Sequence, residues 1–122
     1  MVRNTAQRRV IRNIFVQTGQ PLGPQDVLEE AKKRHQKIGI ATVYRTIKKL
    51  VEEEWLVPVE IPGGAPRYEK SGKVHHHHFV CRVCNRVFDI EGCPGSMKTL
   101  APAGFKVESH EVILYGLCPD CS

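Results

Sequence analysis

Two Cys-x-x-Cys turns, Cys81-Arg82-Val83-Cys84 and Cys118-Pro119-Asp120-Cys121, hold four of the five cysteines in this 122-residue chain. A two-residue spacer lets both thiolates of such a turn face one ion, and two turns supply the four soft donors of a structural zinc(II) site. The alternatives are four unrelated thiols or a pair of redox-active turns. A second concentration of donors is the run His75-His76-His77-His78, which leads into Phe79-Val80-Cys81. Side chains alternate along a strand, so His75 and His77 would share one face and His76 and His78 the other. One strand would then serve two different metal sites. The competing reading is a polar run facing solvent.

These donors need elements to position them. Val87-Phe88-Asp89-Ile90 reads as a strand, Cys93-Pro94-Gly95 as a turn, Ser96 to Leu100 as a brief helix, and Phe105 to Leu117 as a long strand rich in β-branched residues. About fifty residues bury little core on their own, and a zinc clamp and a partner chain are the usual remedies. A homodimer is the expectation.

The first half of the chain has a different character. Residues 1–50 hold eleven Lys/Arg against three Asp/Glu, a net of +8, whereas residues 51–122 hold seven against ten, a net of −3. The basic half is where an acidic polymer would bind. Val10, Ile11, Ile14 and Phe15 recur at helical spacing between Thr5 and Thr18, and Gly19 ends the run. A second helix begins near Pro24 and buries Val27, Leu28 and Ala31. A third, from Ala41 to about Glu54, gathers Val43, Ile47, Leu50 and Val51 on one face. Thr42, Arg45, Lys48 and Lys49 point the other way, with Tyr44 on the flank, as on a recognition helix entering a major groove. The bland alternative is a solvated face.

Leu56 to Ile61 alternates like an edge strand containing Pro58, Pro62 to Pro66 is a turn cluster, and Arg67-Tyr68-Glu69 returns as a second strand. Three helices followed by a hairpin describe a winged helix, and Arg67 on the wing is placed to reach a phosphate. The fold class is therefore α+β. Residues 1–70 form the winged-helix DNA-binding domain, 71–74 a hinge, and 75–122 a small α/β dimerisation and metal-binding domain. No stretch approaches the length that spans a bilayer, and the N-terminus carries no apolar run after its charges. The expectation is a cytoplasmic protein without membrane association.

Ala41-Thr42-Val43-Tyr44-Arg45, Arg67-Tyr68-Glu69, the histidines before Cys-x-x-Cys, His110, and Leu114-Tyr115-Gly116-Leu117-Cys118-Pro119-Asp120-Cys121 occur together in order and spacing. The chain thereby resembles the ferric uptake regulator (Fur) family of metal-responsive bacterial transcriptional regulators. The resemblance implies a homodimer on double-stranded DNA with a palindromic operator, repression as the habitual output, and a zinc held by the positions of Cys81, Cys84, Cys118 and Cys121. It matches Tyr44 and Arg45 to the family's base- and phosphate-contacting pair. It further implies a regulatory divalent metal, zinc(II) or iron(II) with manganese(II) a further candidate, on Glu69, His76, His78 and Asp89.

Two departures stand out. The family histidine of the loop between the first two helices falls at or beside Pro21, and His35 does not take its place. At a second metal position His75 and His110 match, but His77 stands where a carboxylate is usual, and Glu91 or Cys93 is left to substitute for a later glutamate. Cys93 has the alternative of being a small buried side chain. Asp89 resembles the aspartate of peroxide sensors, and Cys93-Pro94 the pair of haem-responsive regulators. From other function classes, a zinc hydrolase lacks a His-Glu-x-x-His helix and leaves the basic half unexplained, and a metal buffer or chaperone would show no operator preference.

Overall fold

The computed structural model describes residues 2–93 and 97–122. The chain forms two compact units, Met1–Lys73 and Val74–Ser122. The first contains helices α1 (Val2–Thr18), α2 (Pro24–Lys33) and α3 (Ile40–Glu52), then strands β1 (Leu56–Val59) and β2 (Arg67–Lys70). The second contains β3 (His76–Cys81), β4 (Val87–Glu91), a 3-10 turn at Met97–Leu100, and β5 (Ile113–Gly116).

Each helix stops where the chain chemistry stops it. Gly19 ends α1 with φ +68, and its N–H returns to Phe15 O at 3.1 Å, a left-handed cap that glycine adopts without steric penalty. Pro24 opens α2, where its missing N–H is harmless, and the Asp26 carboxylate accepts the Gly23 N–H at 2.8 Å. On α3, Val43, Ile47 and Leu50 are buried while Val51 is half-buried. They join Ile11, Ile14, Phe15, Leu22, Val27, Ala31, Ile38 and Leu56 in one apolar cluster. β1 and β2 pair antiparallel, with Pro58 opposite Tyr68. Leu22 and Tyr68 exchange backbone hydrogen bonds of 2.8 and 2.9 Å, which ties the loop before α2 to β2.

In the second unit β3 is central, with β4 antiparallel on one side and β5 parallel on the other. Several expected boundaries move. The first helix begins at Val2 rather than Thr5, and β1 ends at Val59, because the chain turns at Ile61, whose carbonyl accepts the Gly64 N–H at 3.0 Å. The long strand expected from Phe105 to Leu117 shrinks to Ile113–Gly116. β propensity expresses pairing, and only these four residues have ladder partners, His78 to Cys81, on β3. The brief helix is the 3-10 turn, whose expected start at Ser96 lies outside the described residues, as do Pro94 and Gly95 of the expected turn and the Pro94 of the haem-type pair.

Candidate metal centres and nucleic-acid interface

The two Cys-x-x-Cys turns converge. One Sγ from each of Cys81, Cys84, Cys118 and Cys121 lies within 4.8 Å of the others. Cys84 and Cys118 are 3.8 Å apart, which is the edge of a tetrahedron whose metal–sulfur bonds are about 2.3 Å. Strand pairing produces this convergence, because Cys81 closes β3 opposite Gly116 of β5, two residues before Cys118. The N–H groups of Cys84 and Cys118 outweigh burial and hold the Cys81 thiol down to about 6. Cys121 is pushed up to about 12 by its hydrogen bond to Cys118 and by burial. One thiolate is thus stabilised by peptide dipoles, while further negative charge calls for a cation. The donor set fits a structural zinc.

Along β3 the histidines divide between the two faces. The β3–β4 register sets His78 against Asp89. Asp89 Oδ1 lies 3.6 Å from His76 Nε2 and 3.5 Å from His78 Nε2, longer than an N–H···O hydrogen bond and near the edge of a shell with bonds of about 2.1 Å. The carbonyl of Val74 can only accept, so at 2.8 Å it takes a proton from His76 Nδ1. In the neutral ring, Nε2 on the side of Asp89 is then the nitrogen that can ligate, the usual arrangement of a ligating histidine. In the first unit, Glu69 is a buried carboxylate on β2, 5% exposed. Its Oε2 lies 3.3 Å from Lys73 Nζ, which also donates to Gly19 O at 3.1 Å.

On the opposite face, His75 Nε2 lies 3.1 Å from His77 Nε2 and 3.2 Å from His110 Nε2. Cys93 Sγ lies 3.1 Å from His110 Nε2. Cys93 is exposed, not the small buried side chain that was its alternative role. Glu91, the other substitute, is excluded by register: it pairs with His76 and so shares that residue's face. His77 is buried, and burial first, then the neighbouring imidazoles of His75 and His110, hold it below the ordinary histidine range.

On the basic unit, Tyr44, Arg45, Lys48 and Lys49 are exposed along α3, and Thr42 is half-buried. Arg45 donates to Thr42 Oγ1 at 3.2 Å. Thr42, Arg45 and Lys49 line a cavity of about 500 Å³ together with Thr46 and with Thr5, Gln7 and Arg8 of α1. The α1 contribution escaped sequence reading, because charges on a first helix carry no sign of which groove they border. Arg67, expected to reach a phosphate, donates from Nη1 to Ala65 O at 2.7 Å on the exposed side of the wing, and its Nε lies 3.8 Å from Asp26 Oδ2. This ion pair links the wing to α2.

The profile of the ferric uptake regulator family matches residues 1–115. The chain is similar to the ferric uptake regulation protein of Campylobacter upsaliensis, 32% identical over 123 aligned positions that cover 97% of this chain and 79% of that protein. It is also similar to the zinc uptake regulation protein of Mycobacterium tuberculosis, at 28% identity over 98% of this chain and 95% of that one. Among solved structures, a zinc-bound manganese uptake regulator superimposes with a TM-score of 0.76 at 27% identity, covering 92% of this chain and 87% of that chain. No helix among the described residues is long and apolar enough to cross a membrane. The chain belongs to the ferric uptake regulator family, whose members are metal-dependent, DNA-binding, dimeric transcriptional regulators rather than enzymes.

Proposed function

We propose that this chain is a metal-responsive repressor of metal-uptake or of metal- or oxidative-stress genes, with Glu69, His76, His78 and Asp89 as the ligands of its regulatory cation. The observation that carries the reading is the readiness of the His76, His78 and Asp89 set. Three donors from two strands face one another, and the Val74 carbonyl holds the His76 tautomer that ligation needs. Glu69 enters through the family resemblance and through its burial as a carboxylate. Two imidazoles and two carboxylates suit tetrahedral zinc(II); iron(II) or manganese(II) would draw further donors from water.

Because Glu69 is already paired with Lys73, a metal taking this carboxylate competes with an ammonium group. Winning that competition moves β2, hence the wing, into the state that binds DNA. DNA favours the same state, so each ligand tightens the other by the same factor. Tyr44, Arg45, Lys48 and Lys49 would meet the major groove and its phosphates, with Thr42 oriented by Arg45. A dimer presenting two such helices selects a palindromic operator.

The test is a titration of the dimer, its structural zinc retained, with zinc(II), iron(II) and manganese(II) in turn. Affinity is read on a duplex selected from random-sequence DNA. At least one metal is expected to tighten binding, and no response to any of the three would refute the reading.

A further inference from the structure

The side of α3 that borders α2 and β2 is not closed by the helical core. A cavity of about 510 Å³ lies there, walled by Ile47, Val51, Pro24, Tyr44 and Tyr68, and Arg45, Lys48 and Glu52 bring charge to it. We propose that this cavity binds a planar aromatic carboxylate, and that the protein so occupied cannot engage DNA through α3.

The walls are preformed and apolar. Ile47 is buried, and Val51 and Tyr68 pack against the apolar cluster of the first unit. Tyr68 is fixed further by its pairing with Pro58 and by the backbone hydrogen bonds of 2.8 and 2.9 Å that it exchanges with Leu22. Pro24 has no N–H to offer a guest. Tyr44 is 56% exposed, which leaves its ring available to a flat one. A cavity of this size, mostly apolar with a few polar groups at its edge, has the character of a small-molecule site.

Charge decides the kind of molecule. At 1.5 Å per residue, Glu52 lies about 10 Å along the helix axis beyond Arg45 and about 6 Å beyond Lys48. Cations therefore gather at one end and a carboxylate stands at the other. A monoanion fits with its carboxylate against Arg45 and Lys48, whereas a second anion at its far end would meet Glu52. Arg45 gives Nη2 to Thr42 Oγ1, and its guanidinium has further N–H donors for a carboxylate.

The antagonism rests on the proposed role of α3 in the major groove. Arg45 also lines the cavity shared with α1, so a carboxylate that holds the guanidinium on the β2 side withdraws it from phosphate. The aromatic body of the ligand occupies Tyr44 at the same time. DNA is then released with the regulatory metal still bound.

Methyl NMR of the full-length dimer, with its structural zinc retained and no DNA present, tests the site with 2-naphthoate as the probe. The expected result is a saturable shift of the Ile47 and Val51 methyls with a Kd of about 1 mM or below. 2-Naphthamide, the neutral isostere, should bind at least about tenfold more weakly through loss of a charge-assisted contact. Naphthalene-2,6-dicarboxylate should bind the wild type more weakly than naphthoate does and should gain about threefold in Glu52→Gln. Val51→Phe, which fills the cavity, should lose naphthoate and keep metal-dependent affinity for the selected duplex. With metal saturating, naphthoate at about ten times its Kd should weaken wild-type binding to that duplex about tenfold. Absence of shifts at Ile47 and Val51, equal binding of naphthamide, or shifts produced by the duplex alone overturns the site. Naphthoate bound there with duplex affinity unchanged overturns the antagonism. Duplex affinity that ignores metal would instead refute the metal-responsive reading and leave the naphthoate result standing.

Discussion

The two halves of this chain are held together by different forces. The helical unit closes over eleven buried apolar residues contributed by all three helices, β1 and two loops. Among the described residues, Val74–Ser122 buries Val80, Val87, the cysteines Cys81 and Cys118, and one polar side chain, His77. Where the first unit has a hydrophobic core, the second has metal donors. The contrast separates two tasks. A core sets shape independently of metal supply, which suits a surface that must fit DNA. A sheet whose interior consists of ligands has its shape set by what it binds, which suits a sensor.

The sharpest way to break this contrast is Cys81→Ser. Structural zinc supplies about 10–16 kcal/mol of folding free energy in small zinc domains, and losing one of four donors should forfeit much of it. Zinc content should fall by one ion per chain and the melting of residues 74–122 should collapse, while the helical unit keeps its transition. The reciprocal variant, Leu50→Ala, empties a site that is 1% exposed and should destabilise the helical unit by about 2–5 kcal/mol. Calorimetry should show that loss, and metal analysis should show zinc content unchanged. Equal effects of both variants on both transitions would show that the units do not fold separately.

Smaller effects sharpen the functional side. Arg45→Ala should reduce DNA affinity by about 1–3 kcal/mol and lower the salt slope by about one, with metal uptake unaltered; binding isotherms over a salt series measure both. His76→Ala should remove the metal-dependent part of that affinity, about 5–150-fold, and leave the metal-free affinity as it was. Lys73→Met removes the ammonium that holds Glu69 and should tighten regulatory metal binding by about fivefold, the worth of a modest ion pair, as measured by chelator competition.

The residues that were legible in the sequence are those whose role follows from local spacing. The α3 face of Val43, Ile47 and Leu50 and the two cysteine turns needed only helical period and ligand spacing, and alternation alone separated His76 from His77 along β3. What stayed hidden depended on register and on single dihedrals. Glu91 and Cys93 were equivalent as letters, and only the β3–β4 ladder and the left-handed Gly92 divide them. No local pattern announces that Asp26, on another element, lies beside Arg67. Phe105 to Val112 has the composition of a strand, but strand formation requires a partner, and composition does not say where one is.

The central claim is that regulatory metal and DNA favour one and the same state. Metal affinity of the dimer, measured by chelator competition with and without saturating operator duplex, tests it most directly. Linkage predicts that DNA tightens metal binding by the same factor by which metal tightens DNA binding, and that this gain vanishes in Asp89→Ala. A metal affinity indifferent to DNA would contradict the account.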